Sequence, residues 1–255
     1  MNFNIFPTEL ILQKYHLFWQ YPVITEKEFF NQNKNEPLYC GFPWATIIDK
    51  QVNLNDLYHY FIPFLKHKNY YTCCQHIHFK SLISFFNLIG INCVYSPHKI
   101  LNENFINNIK IIPCPLYGVN IENNNNNNYF NNINFLNIER PLLYSFIGGY
   151  QDNYISNIRP NIFKIKNNKY ISYIENTKKW HFNNIVYNNS QNFNNDINID
   201  NNYINNTNKF NYILSKTRFS LCPSGSGPNS IRFWESLAIG SIPVLLSDSL
   251  ELPYN

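Results

Sequence analysis

The chain contains no apolar run approaching the roughly 20 residues that a membrane-spanning helix needs. Its N-terminus also lacks a basic segment followed by an apolar one, so neither a secretory leader nor a membrane anchor is expected. Arginine is scarce. There are four, Arg140, Arg159, Arg218 and Arg232, and none lies in the first half. The formal net charge of +4 is mild and no basic stripe is visible, which argues against a nucleic-acid binder. The six cysteines follow no zinc-ligand spacing. Cys73, Cys74, Cys93, Cys114 and Cys222 lie in apolar, strand-like runs, where cysteine behaves as a small buried hydrophobe. Reduced thiols and a cytoplasmic location are therefore expected. No D-x-D occurs in a strand context, so no metal site is assigned.

What is present is enough apolar matter for a substantial core, 44% hydrophobic and 17% aromatic over 255 residues, the length of one large or two small domains. Asparagine makes up nearly a fifth of the chain and runs unbroken from Asn123 to Asn128. Such tracts bury nothing, so residues 123–138 are read as a linker between domains at 1–122 and 139–255. A second polar stretch, Asn183 to Asn208, is expected to be a long surface loop. The sequons at Asn188 and Asn205 are read as products of the same asparagine bias.

The first half alternates β and α signals. Tyr70 to Cys74 reads as a strand, Lys80 to Ile89 as an amphipathic helix closed by Gly90, and Asn92 to Tyr95 as the next strand; Ile109 to Ile112 leads to another. Such alternation implies a parallel sheet with ligands at the strand carboxyl ends. Two segments, one running from Cys74 to His78 and the other from Ser96 to His98, sit at such ends.

The second half is more informative. Leu142 to Ile147 reads as a strand ending in Gly148 and Gly149, followed by a helix from about Tyr154 to Lys164 that carries Arg159. Phe219 to Cys222 is a short buried strand. It leads into Ser224, Gly225, Ser226, Gly227 and Pro228, a turn that brings bare backbone close to a ligand. Pro228 suits a first helical position, and Ile231, Trp234, Leu237 and Ala238 fit a core-facing stripe. Gly240 closes the helix, and Ile242 to Leu246 is the next strand. An open helix N-terminus favours an anion. Arg232 and Glu235, three positions apart, could be an ordinary solvated ion pair. They could equally hold a phosphate and a pair of ribose hydroxyls, since a guanidinium forks onto phosphate oxygens and a carboxylate only accepts hydrogen bonds.

The stretch from Phe219 through Arg232, Glu235 and Asp248 to Leu252, Pro253 and Tyr254 resembles the C-terminal core of the exostosin-like glycosyltransferases, glycosyltransferase family 47. Ser236 stands where that pattern has alanine. The first half resembles the acceptor-side domain of bacterial and viral exostosin-like proteins. The resemblance implies a GT-B architecture, two Rossmann-like α/β domains facing a cleft. It also implies transfer of a sugar from a nucleotide-sugar, UDP-sugar ahead of GDP-sugar, to a glycan or glycoconjugate, with inversion and no bound metal or other cofactor. The donor would meet Gly148, Gly149, Arg159, Ser224, Gly225, Gly227, Ser230, Arg232 and Glu235, with Arg159 open to a second reading as a surface charge. The base that deprotonates the acceptor would come from His76, His78 or Asp49, histidine suiting the task because its ordinary pKa lies near neutrality. Eukaryotic exostosins carry a signal anchor, which is not seen here. Because family members continue beyond the motif, the C-terminal domain is expected to be truncated. Two other readings stand beside the transferase: an inactive or fragmentary relative that only binds nucleotide or sugar, and a different α/β enzyme using the glycine-rich turn for another phosphorylated ligand.

Overall fold

A computed structural model of the chain describes residues 4–21, 23–65, 69–122, 137–166, 171–178 and 201–253. Most of the expected linker, 123–138, lies outside the described residues, as does the polar stretch up to residue 200, which includes the sequon at Asn188. The chain forms two compact units, Met1–Pro115 with Ser249–Asn255, and Leu116–Asp248. These boundaries differ from the expected 1–122 and 139–255, chiefly because the last residues of the chain join the first unit.

The first unit is built on β1 (Tyr70–Cys73), β2 (Ile91–Ser96), β3 (Phe105–Ile106) and β4 (Ile109–Pro113), in the order β1-β2-β4-β3. β1, β2 and β4 are parallel and the two-residue β3 is antiparallel to β4. Helices α1 (Glu9–Lys14), α2 (Thr25–Asn33), α3 (Trp44–Asp49), α4 (Leu54–Phe61) and α5 (Ile83–Leu88) belong to this unit. The expected helix from Lys80 is a 3-10 turn, Phe79–Leu82, that runs into α5; Gly90 follows with φ 81, a conformation glycine adopts at no steric cost. The aromatic richness of the sequence is spent in this core. Trp44 is fully buried, stacked 5.2 Å from Phe42 and edge-on to Phe86 at 4.9 Å. Its indole N–H is satisfied by Thr72 Oγ1 at 2.6 Å, and that hydroxyl donates in turn to the Cys40 carbonyl. Ser249–Glu251 pairs antiparallel with the segment after β2 through an Ile100–Leu250 bridge, and fully buried Lys99 is ion-paired to Glu251.

The second unit carries β5 (Leu142–Gly148), β6 (Ser172–Asn176), β7 (Thr217–Pro223) and β8 (Ile242–Leu246), all parallel in the order β6-β5-β7-β8. Its helices are α6 (Val119–Glu122), α7 (Ile158–Phe163), α8 (Asn201–Ser215) and α9 (Ile231–Ile239). Several expectations are corrected here. Residues 201–208, expected as surface loop, are helical. The buried face of α8 is Thr207, Asn211, Leu214 and Ser215, so helical spacing is carried mostly by polar residues, which a hydrophobicity pattern misses. The sequon at Asn205 sits on this helix, with Thr207 buried. α7 begins at Ile158, four residues later than expected. α9 begins at Ile231 behind an extended Ser230, so Pro228 is part of the turn and not a first helical residue. The core face of α9 is Phe233, Glu235, Ser236 and Ile239, while Leu237 is exposed. The expected stripe was rotated because the two charged residues of this helix point inward, not outward. Gly240 closes α9 in the left-handed conformation, as expected.

Arg140 fastens this unit. Its guanidinium donates to the carbonyls of Ser215 at 2.8 Å, Thr217 at 3.2 Å and Ile239 at 2.7 Å, so it sits on the carboxyl ends of both α8 and α9. Those ends carry unpaired carbonyls and the negative pole of the helix dipole. Replacement of Arg140 by Met is expected to lower the unfolding free energy by about 2 kcal/mol in urea titration. Arg218→Met, at an exposed position, should stay within about 0.5 kcal/mol of the wild type.

Candidate functional site

In the second unit the parallel pairing of β5 with β7 brings two glycine-bearing strand ends together, Gly148-Gly149 and Pro223-Ser224-Gly225. The carbonyls beyond the last ladder bond have no strand partner. Arg159, on the first turn of α7 and 8% exposed, supplies one: Nε donates to the Ser224 carbonyl at 2.9 Å, Nη1 to Gly149 at 2.9 Å and Nη2 to Pro223 at 3.4 Å. A planar fork with fixed donor directions can bridge two strand ends in this way, and an ammonium cannot. The Tyr154 ring covers the guanidinium, its centroid 4.6 Å away. Ser156 Oγ meets Ser224 Oγ at 2.8 Å, and the Ile155 N–H donates to the Gly225 carbonyl. Arg159 is thus a clip that shapes the end of the sheet, and the surface-charge reading is set aside.

Arg232 enters from the first turn of α9. Nη2 donates to the Ile147 carbonyl, the guanidinium lies 4.6 Å above the Phe146 ring, and Nε is buried with no hydrogen-bond partner. Gly148 lies between the two arginines. A Cβ there would stand 3.2 Å from Arg232 Nη2 and 3.5 Å from Arg159 Nη1. At Gly225 it would stand 3.3 Å from Arg159 Nη2. Neither residue has positive φ; a side chain would crowd the Phe146 ring, 3.1 Å away, and Arg232 at Gly148, and Arg159 at Gly225. Gly227 accepts the Gly225 N–H. Ser230 is the N-cap of α9, but no side chain caps that helix.

Among the described residues no carboxylate lies within ion-pair distance of Arg159 or Arg232. Burial and the neighbouring Arg232 charge pull Arg159 down to about 10, and burial also lowers Arg232. Both stay protonated at neutral pH. The sheet end therefore holds two adjacent cations with no carboxylate at ion-pair distance among the described residues, the Glu235 carboxylate acting on Arg232 only from further away. Glu235, 2% exposed, accepts the Asn120 backbone N–H at 3.3 Å, a contact with α6 that nothing local in the sequence announces.

In the first unit the loop after β1 gathers a different set. Asp49 ends α3, and His76 Nε2 lies 2.9 Å from Asp49 Oδ1. His76 Nδ1 faces the His78 N–H at 2.9 Å, and Gln20 donates to the other Asp49 oxygen. The structure thus brings Asp49, His76 and His78 together. Beside them lie two residues not selected as site residues from sequence. Glu26 is 2% exposed, accepts the backbone N–H groups of Gln75 at 3.0 Å and Ala45 at 3.1 Å, and is pushed up to about 8 by burial. His98, at the end of β2, is 8% exposed, its Nδ1 has no hydrogen-bond partner, and burial with neighbouring His76 pushes it down to about 4. The position of His98 at a strand end was a usable signal. Glu26, from α2, had none.

Residues 93–255 match the family described as the Exostosin GT47 domain, a span that starts in β2 and includes the whole of the second unit. No curated protein gives a significant match to the chain.

The folded-state pKa of Glu26 lies above its unfolded value, so its proton is held by the native state while the unfolded chain releases it. Its contribution to stability is fully present below about pH 4.5 and is lost as pH rises to about 8. Glu26→Gln should flatten the fall in urea midpoint across this window. Identical slopes for the two proteins would contradict the assignment.

Proposed function

The chain belongs to the exostosin GT47 family of glycosyltransferases, and we propose that it transfers a sugar from a nucleotide-sugar to a glycan or glycoconjugate acceptor, with inversion and without a bound metal. The observation that carries this reading is the Arg159–Arg232 pair. A buried and a partly buried cation side by side, with no carboxylate at ion-pair distance, are costly unless an anion completes them. The pair lies at the carboxyl ends of parallel strands beside an uncapped helix N-terminus, the place where α/β sheets bind phosphates.

In this reading Arg159 holds the two strand ends and Arg232 meets the diphosphate through Nε. The backbone at Gly148, Gly149, Ser224, Gly225 and Gly227 lines the approach, and Ser230 lies at the open helix end. Glu235, a carboxylate that can only accept hydrogen bonds, takes the ribose hydroxyls. Positive charge already in place offsets the charge that develops on the departing diphosphate, which is how such a site can act without a metal. UDP-sugar is placed ahead of GDP-sugar. Deprotonation of the acceptor hydroxyl falls to the group of Asp49, His76 and His78. Six free cysteines fit the proposed cytoplasmic setting, and among the described residues no helix is long and apolar enough to cross a membrane.

Transfer assays with a panel of UDP- and GDP-sugars are expected to reveal turnover. Arg232→Ala should weaken UDP binding about 10- to 100-fold, the effect of losing a charged hydrogen bond. Unchanged UDP affinity in that variant would sink the donor assignment. UDP binding by a wild type that transfers nothing would favour the non-catalytic reading.

A further inference from the structure

Histidine's pKa makes His76 the natural base, but its hydrogen bonds say otherwise. A backbone N–H can only donate, so His76 Nδ1, which the His78 N–H reaches at 2.9 Å, must present its lone pair there. The ring proton then sits on Nε2, which faces Asp49 Oδ1 at 2.9 Å. An ionised carboxylate only accepts, so this tautomer satisfies both contacts and the other satisfies neither. Neutral His76 has no lone pair left to take a proton. Asp49 is differently placed. Its side chain is 50% exposed, against 14% for His76, and it sits at the end of a helix with Gln20 and His76 donating to its two oxygens. A carboxylate oxygen has room for more than one donor.

We infer that Asp49 is the group that takes the acceptor's proton and that His76 is a positioning residue that aims the carboxylate. This rests on the transferase reading above and deepens it. In the step, the acceptor O–H bond breaks and its proton passes to an Asp49 carboxylate oxygen. The freed oxygen pair forms the new bond at the anomeric carbon of the donor sugar. The carbon–oxygen bond to the donor phosphate breaks, and its electron pair leaves on the diphosphate. His76 keeps its proton throughout.

The test compares kcat and the donor KM of the wild type with those of Asp49→Asn, Asp49→Ala, His76→Leu and His76→Gln, using a UDP-sugar and an oligosaccharide acceptor that the wild type turns over. Asp49→Asn should lose at least about 100-fold in kcat with donor KM little changed, the usual effect of removing a general base. Added formate should restore part of the turnover of Asp49→Ala by standing in for the lost carboxylate, a response an unfolded protein cannot give. His76→Leu should lose about tenfold. His76→Gln, whose Nε2 still donates to Asp49, should recover to within about threefold of the wild type. Asp49→Asn within tenfold of the wild type, or His76→Gln as impaired as Asp49→Asn, would overturn the assignment and leave the transferase reading standing. A wild type that binds UDP but turns over no donor would overturn both.

Discussion

Two guanidinium groups sharing one sheet end without a carboxylate between them are the constraint around which the second unit is organised. Arg159 and Arg232 repel each other and are both withdrawn from water, yet each is fixed by backbone carbonyls and by aromatic faces. The surrounding choices follow from housing them. A side chain at Gly148 or Gly225 would press on a guanidinium, and at Gly148 on the Phe146 ring as well. Phe146 is buried beneath both. The loop from Tyr150 to Ser156 folds over Arg159 through Tyr154 and Ser156. Protein interiors rarely keep unpaired charge unless a ligand completes it, which is why this arrangement reads as a binding site and not as a stability device.

The first unit solves a different problem. Its strand-end loop is polar but almost free of net positive charge, and it is held by a chain of hydrogen bonds: Gln75 to Glu26 and Val23, and His76 to Asp49. Glu26 ties α2 and α3 to the end of β1 from inside the core. Of the hydrogen-bonded pair, the Asp49 carboxylate faces solvent more than the His76 imidazole. The two units thus gather different side chains at their strand ends, two guanidinium groups in the second and a carboxylate with imidazoles in the first.

Strands were the most legible part of the chain: β1, β2, β4, β5, β7 and β8 all fall on mainly apolar runs, as buried parallel strands do, and glycine or proline bounds β2 and β5 on both sides. The helices of the second unit were harder. α8 buries Thr207 and Asn211, and α9 buries Glu235 and Ser236, so the faces that pack are not the faces that look apolar. The pairing of Arg159 with Arg232 could not be read locally, since it depends on β5 and β7 being neighbours. Arg140 gave no sign of its place on two helix ends. Each is a long-range consequence of strand order. The spacing between Arg232 and Glu235 was visible, but their burial and separate partners were not.

The central claim is that the Arg159–Arg232 end of the second unit holds the donor diphosphate. It is tested most directly by a crystal structure of the protein with UDP. The account predicts the diphosphate against Arg232 Nε and the first turn of α9, with the ribose at Glu235 and Arg159 still bonded to the Gly149 and Ser224 carbonyls. UDP bound elsewhere, with Arg232 Nε still unpartnered, would contradict it.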